Sequence, residues 1–251
     1  MKLAPQEIHV WLAFDRELDD PALNVAHADL LSAEENERRG KLYSEELRHQ
    51  FLVTRALQRL VLSRYAPEVA PREWSFVTGE RGKPALSSRF ERLGLHFNLA
   101  HTKRLVACAV SRMPEIGIDV ENVRTRKAPL HLAPRYFTSR EAAGLTALPE
   151  PERPARFYAL WTLKEAWLKA TGEGIAAGLG NASFDLDDAH RMRGVEFAKD
   201  DPSRWRFWQY RPSDEHALTV ALRAESAPAD SAVTLYTFAP GGFDQGTSIE
   251  K

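Results

Sequence analysis

Apolar and polar positions alternate over residues 7–14, where Ile8, Val10, Trp11 and Phe14 predict an opening strand. Ser32-Ala33-Glu34-Glu35 has the form of a capping box, in which the serine and the glutamate three positions on satisfy each other's backbone N–H groups. A helical stretch follows and breaks near Tyr43-Ser44. From Glu45 to Tyr65 the sets Leu52, Ala56, Leu60 and Val53, Leu57, Val61 recur with a helical period, and Pro67 and Pro71 stop the helix. Residues 73–78 read as a short strand, and Gly79–Pro84 reads as a loop. Three β-like runs come next, at Leu95–Leu99, Arg104–Ser111 and Glu115–Glu121. Their separators are too short for crossover helices and predict an antiparallel meander.

The second half runs through the same order. Thr138-Ser139-Arg140-Glu141 is a second capping box, a long helix spans about Pro154 to Thr171, and Gly172-Glu173-Gly174-Ile175 ends it. Strand-like runs follow at 181–186, 194–197, 204–210 and 216–222. Beyond Arg223 the chain is rich in Ala, Ser and Pro, a last strand at Val233–Phe238 is expected to pack back, and Gly241 onward is expected to fray. The pattern predicts an α+β architecture built from two similar halves, 1–113 and 114–223, with a C-terminal extension over 224–251.

The composition, with 43% hydrophobic and 27% charged residues, is that of a globular protein. Lys plus Arg number 34 against 35 Asp plus Glu, so nothing draws the whole chain toward nucleic acid or a membrane surface. The single cysteine, Cys108, excludes an intramolecular disulfide, and its apolar neighbours predict a buried strand position. No signal-peptide pattern opens the sequence and no segment reaches the roughly 20 apolar residues that span a bilayer. A cytoplasmic protein is expected.

Two acidic clusters could carry chemistry. In Gly117-Ile118-Asp119-Val120-Glu121, an extended strand turns Asp119 and Glu121 to one face. On a helical wheel of Trp161–Gly172, Trp161, Lys164, Glu165, Leu168 and Lys169 share one arc, opposite Leu163, Ala166, Trp167 and Ala170. Three carboxylates without Cys or clustered His suit Mg²⁺ better than zinc, and the lysines suit phosphate. Each cluster also has a plain reading: an i,i+4 Glu–Lys pair on a solvated face, and a strand leaving the core. Lys83, at a rigid turn, and His101, at a strand exit, are further candidates for phosphate.

Gly82-Lys83-Pro84, Phe97-Asn98-Leu99-Ala100-His101-Thr102, Gly117-Ile118-Asp119-Val120-Glu121 and Trp161-Thr162-Leu163-Lys164-Glu165-Ala166-Trp167-Leu168-Lys169, in this order, resemble the 4′-phosphopantetheinyl transferases of the surfactin-synthetase-activating type. The match covers roughly residues 30–222. The resemblance implies two α+β halves related by a pseudo-twofold axis, with coenzyme A in the cleft between them. It implies transfer of the phosphopantetheine arm of coenzyme A to a serine of an apo carrier protein, whether acyl, peptidyl or polyketide, with release of adenosine 3′,5′-bisphosphate. Mg²⁺ is the implied cofactor, held by Asp119, Glu121 and Glu165. Glu165 also falls on the proposed base, with Asp119 and Lys169 beside it. Lys164 and Lys169 fall on phosphate contacts, and Lys83 and His101 on contacts to the adenosine bisphosphate. Glu141 falls on a further acid, with a structural alternative as a helix cap.

Two departures are visible. Ala100 stands where relatives often have Ser, and Gln50 stands near the place of a coenzyme-binding arginine, which Arg48 or Arg55 could replace. The span Val123–Arg135, with Arg124, Arg126, Lys127 and Arg135, is the expected carrier-docking segment. One chain supplying both halves implies a monomer. The competing readings are another Mg²⁺-dependent phosphoryl enzyme, such as a phosphodiesterase or nuclease, and a noncatalytic binding domain.

Overall fold

The computed structural model describes residues 1–79, 82–124, 127–174, 178–223, 231–239 and 242–243. The chain runs β1 (Glu7–Ala13), α1 (Pro21–Ala28), α2 (Ala33–Gly40), α3 (Glu45–Tyr65), β2 (Phe76–Thr78), β3 (Pro84–Leu86), β4 (His96–Thr102), β5 (Leu105–Ser111) and β6 (Ile116–Asn122). It continues through α4 (Ala133–Tyr136), α5 (Ser139–Ala147), α6 (Arg153–Thr171), β7 (Ala182–Leu186), β8 (Met192–Phe197), β9 (Trp205–Ser213), β10 (His216–Arg223), β11 (Ala232–Ala239) and β12 (Gly242–Phe243). Both capping boxes form as read: Ser32 and Thr138 accept from the N–H groups of Glu35 and Glu141, whose carboxylates reach back to the cap N–H. Ser44 caps α3, which accounts for the break before it. The expected fraying from Gly241 onward falls largely outside the described residues.

Contacts gather the chain into two units. One comprises Met1–Gly79, Pro84–Pro114 and Asp230–Lys251; the other comprises Glu80–Lys83 and Glu115–Ala229. The first unit holds a sheet of order β12-β11-β1-β5-β4, in which β1 pairs parallel with β11 and antiparallel with β5. Helix α3 packs Val53, Leu57, Val61 and Leu62 into a core with Trp11, Val106, Val110 and Cys108. Cys108 is fully buried, and burial pushes its thiol pKa up. The Tyr65 hydroxyl accepts from Trp11 Nε1 and bonds His9 Nδ1, each at 2.9 Å, so polar tips from α3 and β1 are satisfied inside the core.

The predicted three-strand meander holds only for its first two strands. Strand β4 pairs with β5, but the far edge of β5 is taken by β1, with Ile8 opposite Ser111. β6 instead pairs with β10 in the second unit, where the sheet order is β6-β10-β9 and Asp119 stands opposite Thr219. Short separators exclude a crossover helix, yet they do not decide whether the next strand stays in the same sheet.

In the second unit α6 lies across β6 and β10, and its apolar residues, Phe157 among them, join Phe137, Leu179, Phe184 and Trp205. A Cβ added at Gly117 would fall 2.0 Å from the Ala166 carbonyl oxygen and 2.5 Å from Ala170 N. The α6 backbone therefore rests directly on β6, and only glycine leaves room. Behind this contact Thr219 Oγ1 donates to Thr162 Oγ1 at 2.9 Å, both side chains being buried. No helix among the described residues is long and apolar enough to cross a membrane.

Gly117→Ala is expected to destabilise by at least about 1–3 kcal/mol, because the clash is with backbone that cannot rotate away. Gly144→Ala, in α5 with nothing within 4 Å of the added methyl, is expected to stabilise by about 0.5–1 kcal/mol. Urea midpoints of the two variants check both signs.

Candidate active site

Helix α6 is buried nearly all round; from Phe157 to Ala170 its only half-exposed residues are Trp161, Glu165 and Lys169. These recur every fourth position and so form a narrow stripe. The contact at Gly117 brings this stripe against β6. Asp119, two residues further along the same strand face, is 6% exposed, and its Oδ1 accepts from Lys169 Nζ at 2.7 Å. Its Oδ2 is buried without a hydrogen-bond partner, and so is Oε1 of Glu165.

Orphaned carboxylate oxygens are costly in a protein interior, and here the cost shows in the acidity. Burial first, and then the charge of Asp119, push Glu165 up to about 7, while Lys169 pulls the other way. Two desolvated carboxylate oxygens with a lysine beside them form an oxygen-only donor set suited to a hard divalent cation. The site residues therefore fit Mg²⁺. Among the described residues, however, no three His, Cys, Asp or Glu side chains converge as a metal cage. Asp119 and Glu165 are electrostatically coupled; half-buried Glu121 is not gathered with them into a third ligand. A cation that keeps waters and substrate phosphates in its shell needs no such cage.

Lys164 departs from its expected role. It is 0% exposed, and its ammonium donates to Glu141 Oε2 at 2.8 Å, the Leu179 carbonyl at 2.8 Å and the Ala182 carbonyl at 2.5 Å. Three donors meet three acceptors, flanked by the rings of Phe137 and Phe184, so nothing is left for phosphate. The wheel misplaced it because the covered face of α6 is far wider than an amphipathic stripe. Glu141 takes its structural alternative: besides capping α5 it accepts from Phe184 N at 2.8 Å and holds Lys164.

Lys83 lies in the second unit and donates to the carbonyls of Ile116 at 2.9 Å and Ala170 at 3.1 Å. In the first unit His101 is exposed on β4, opposite Val106. Arg55 lies over the Phe51 ring, donates to Gln58 Oε1 at 3.1 Å and approaches Glu35 at 3.7 Å. Arg48 is tied to Glu45 and to the Leu42 carbonyl, and Gln50 donates to the Thr102 carbonyl. Sequence reasoning missed the Thr162–Thr219 bond and the close approach at Gly117. A glycine between Ile116 and Ile118, inside a predicted strand, was the available signal for the latter.

Comparisons with known proteins show the family of the chain. Residues 115–221, which carry β6, α6 and β10, match the 4′-phosphopantetheinyl transferase superfamily. The chain is 39% identical over 177 residues to the 4′-phosphopantetheinyl transferase HetI of Nostoc, covering 70% of this chain and 73% of that one. It is 31% identical over 189 residues to the 4′-phosphopantetheinyl transferase Sfp of Bacillus subtilis, covering 71% and 81%. A putative 4′-phosphopantetheinyl transferase of Synechocystis is 34% identical over 189 residues, covering 74% of each. The chain thus belongs to the 4′-phosphopantetheinyl transferase family and has its α+β fold. It is an enzyme of that class, of the Sfp-like kind, and the phosphodiesterase alternative is not favoured.

Two measurements test the site. Lys164→Met leaves the Glu141 charge buried and uncompensated, with an expected loss of about 3–5 kcal/mol, and adding Glu141→Gln should recover part of it in urea unfolding. For Glu165, the unfolded chain releases its proton near 4.5 while the folded chain holds it to about 7. Stability is therefore lost as pH rises across that window. In a chelator, Glu165→Gln should raise Tm by a few degrees at pH 8, and the difference should vanish near pH 4.

Proposed function

We propose that this enzyme transfers the 4′-phosphopantetheine arm of coenzyme A to a serine hydroxyl of an apo carrier protein, using Asp119, Glu165 and Lys169 as its reacting centre. The observation that carries this reading is the pair of buried, unpartnered carboxylate oxygens on Asp119 and Glu165 beside the Lys169 ammonium. Asp119 and Glu165 would hold Mg²⁺ together with the diphosphate of coenzyme A. When bound, the ion supplies counter-charge to the transferred phosphoryl group and its leaving group.

Glu165 takes the serine proton, directly or through water, as the serine Oγ forms its bond to phosphorus. The bond from that phosphorus to the bridging oxygen breaks, and adenosine 3′,5′-bisphosphate departs with the electron pair. A carboxylate held up to about 7 is a better proton acceptor at neutral pH than an ordinary glutamate. Lys169, bound to Asp119 at 2.7 Å, fixes the carboxylate and offers its remaining N–H groups to phosphate oxygens. His101 and Arg55 belong to the same reading as coenzyme A contacts.

The carrier would dock on Val123–Arg135, where Arg124, Lys127 and Arg135 are exposed cations suited to an acidic helix. Arg126 lies outside the described residues. A monomer working in the cytoplasm completes the reading.

Incubation of the protein with apo carrier, coenzyme A and Mg²⁺ should add the mass of one phosphopantetheine arm to the carrier. Asp119→Ala and Glu165→Ala should each lower kcat by at least about 100-fold while circular dichroism stays unchanged. Near-normal turnover of either variant would overturn the assignment of the site.

A further inference from the structure

Lys83 occupies the turn before β3, where the family resemblance assigns it to the adenosine bisphosphate. Its ammonium is held by two backbone carbonyls. Nζ donates at 2.9 Å to the carbonyl of Ile116, the first residue of β6, and at 3.1 Å to that of Ala170, in the last turn of α6. The final carbonyls of a helix have no partner within it, and a cation there also meets the negative end of the helix dipole. The lysine stem packs on the turn that ends α6: Gly172 caps the helix at φ 72°, and a Cβ there would meet Lys83 Cβ and Cδ at 3.7 Å. Burial draws the Lys83 pKa down to about 8, with Glu115 opposing it.

We propose that Lys83 is a positioning residue, a brace tying the start of β6 to the end of α6 so that Asp119 and Glu165 are held at a fixed separation. The geometry is economical. At Gly117 the two elements touch backbone to backbone, through Ala166 and Ala170. Lys83 grips the residue beside that contact on each element, Ile116 and Ala170 itself. One contact sets the distance between strand and helix, and the brace stops the helix sliding or rolling about it. Asp119 and Lys169, which meet at 2.7 Å, lie within three residues of the gripped carbonyls. A shift of α6 by a fraction of its rise per residue would part them. The inference rests on the metal-site reading above, and it departs from the phosphate contact that resemblance assigns.

The two roles separate by measurement. Lys83→Met keeps the stem and removes the donors, whereas Lys83→Arg keeps donors for both carbonyls. Mn²⁺ binding is followed by electron paramagnetic resonance without coenzyme A, and adenosine 3′,5′-bisphosphate is titrated separately. Lys83→Met should weaken Mn²⁺ binding on the order of tenfold and leave the bisphosphate Kd within about twofold, and Lys83→Arg should restore most of the Mn²⁺ affinity. A tenfold rise in bisphosphate Kd with unchanged Mn²⁺ binding, or equal Mn²⁺ losses in both variants, overturns the brace. Should Lys83→Met fail to fold, acylation of the wild-type lysines followed by mass spectrometry decides. Slow labelling of Lys83 with and without bisphosphate supports the brace, and fast labelling that bisphosphate blocks overturns it. If wild type binds no Mn²⁺, the metal reading fails, and the labelling result alone decides what Lys83 does.

Discussion

The contact of α6 with β6 at Gly117 is the constraint from which the rest of the site follows. A helix whose backbone touches a strand's backbone cannot be displaced without losing packing on both elements, and its carbonyls at Ala166 leave no room for even one methyl group. With the spacing fixed there, the next residue on the same strand face, Asp119, must meet the α6 stripe that carries Glu165 and Lys169. The charged groups do not choose their distance; the glycine does.

That arrangement keeps an oxygen of each of two interacting carboxylates out of water. Desolvation and mutual repulsion hold Glu165 near neutrality, and Lys169 relieves only part of the strain by binding one oxygen of Asp119. Polar surroundings that are preorganised but incompletely satisfied are common at catalytic centres, where the missing charge arrives with substrate. The second buried ion pair contrasts with this. Lys164 and Glu141, one residue and one helix away, are satisfied on every donor and serve as structural cross-links between α5, α6 and β7. Adjacent residues of one helix thus differ: Lys164 belongs to a closed ion pair with Glu141, whereas Glu165 keeps a buried oxygen without a hydrogen-bond partner.

Local structure was legible wherever local rules decide it. Ser32 with Glu35 and Thr138 with Glu141 marked helix starts, Pro67 and Gly172 marked stops, and the period of α3 showed its buried face. The alternation read in β1, by contrast, marked a strand that is buried on both faces from Ile8 to Ala13. Other features escaped because their partners are distant in sequence. The helix α1 was not read, although Asp20 caps it and Pro21 opens it, because it offers little apolar periodicity. The parallel pairing of β11 with β1 joins segments over two hundred residues apart, which no spacing rule addresses.

By itself the sequence determined which residue types could do the chemistry: acids at alternate strand positions, a glutamate and a lysine one helical turn apart, and an order of motifs specific enough to resemble one family. Only the tertiary structure decided which of those residues are available. Lys164 and Lys169 look equivalent on a wheel, yet one is enclosed by carbonyls and Glu141 and the other reaches Asp119. Lys83 reads as a phosphate contact in a loop, yet it grips two carbonyls. The physical reason is the same in each case. A lysine's role is set by which acceptors surround its ammonium, and those acceptors come from segments that the fold, not the local sequence, brings to it.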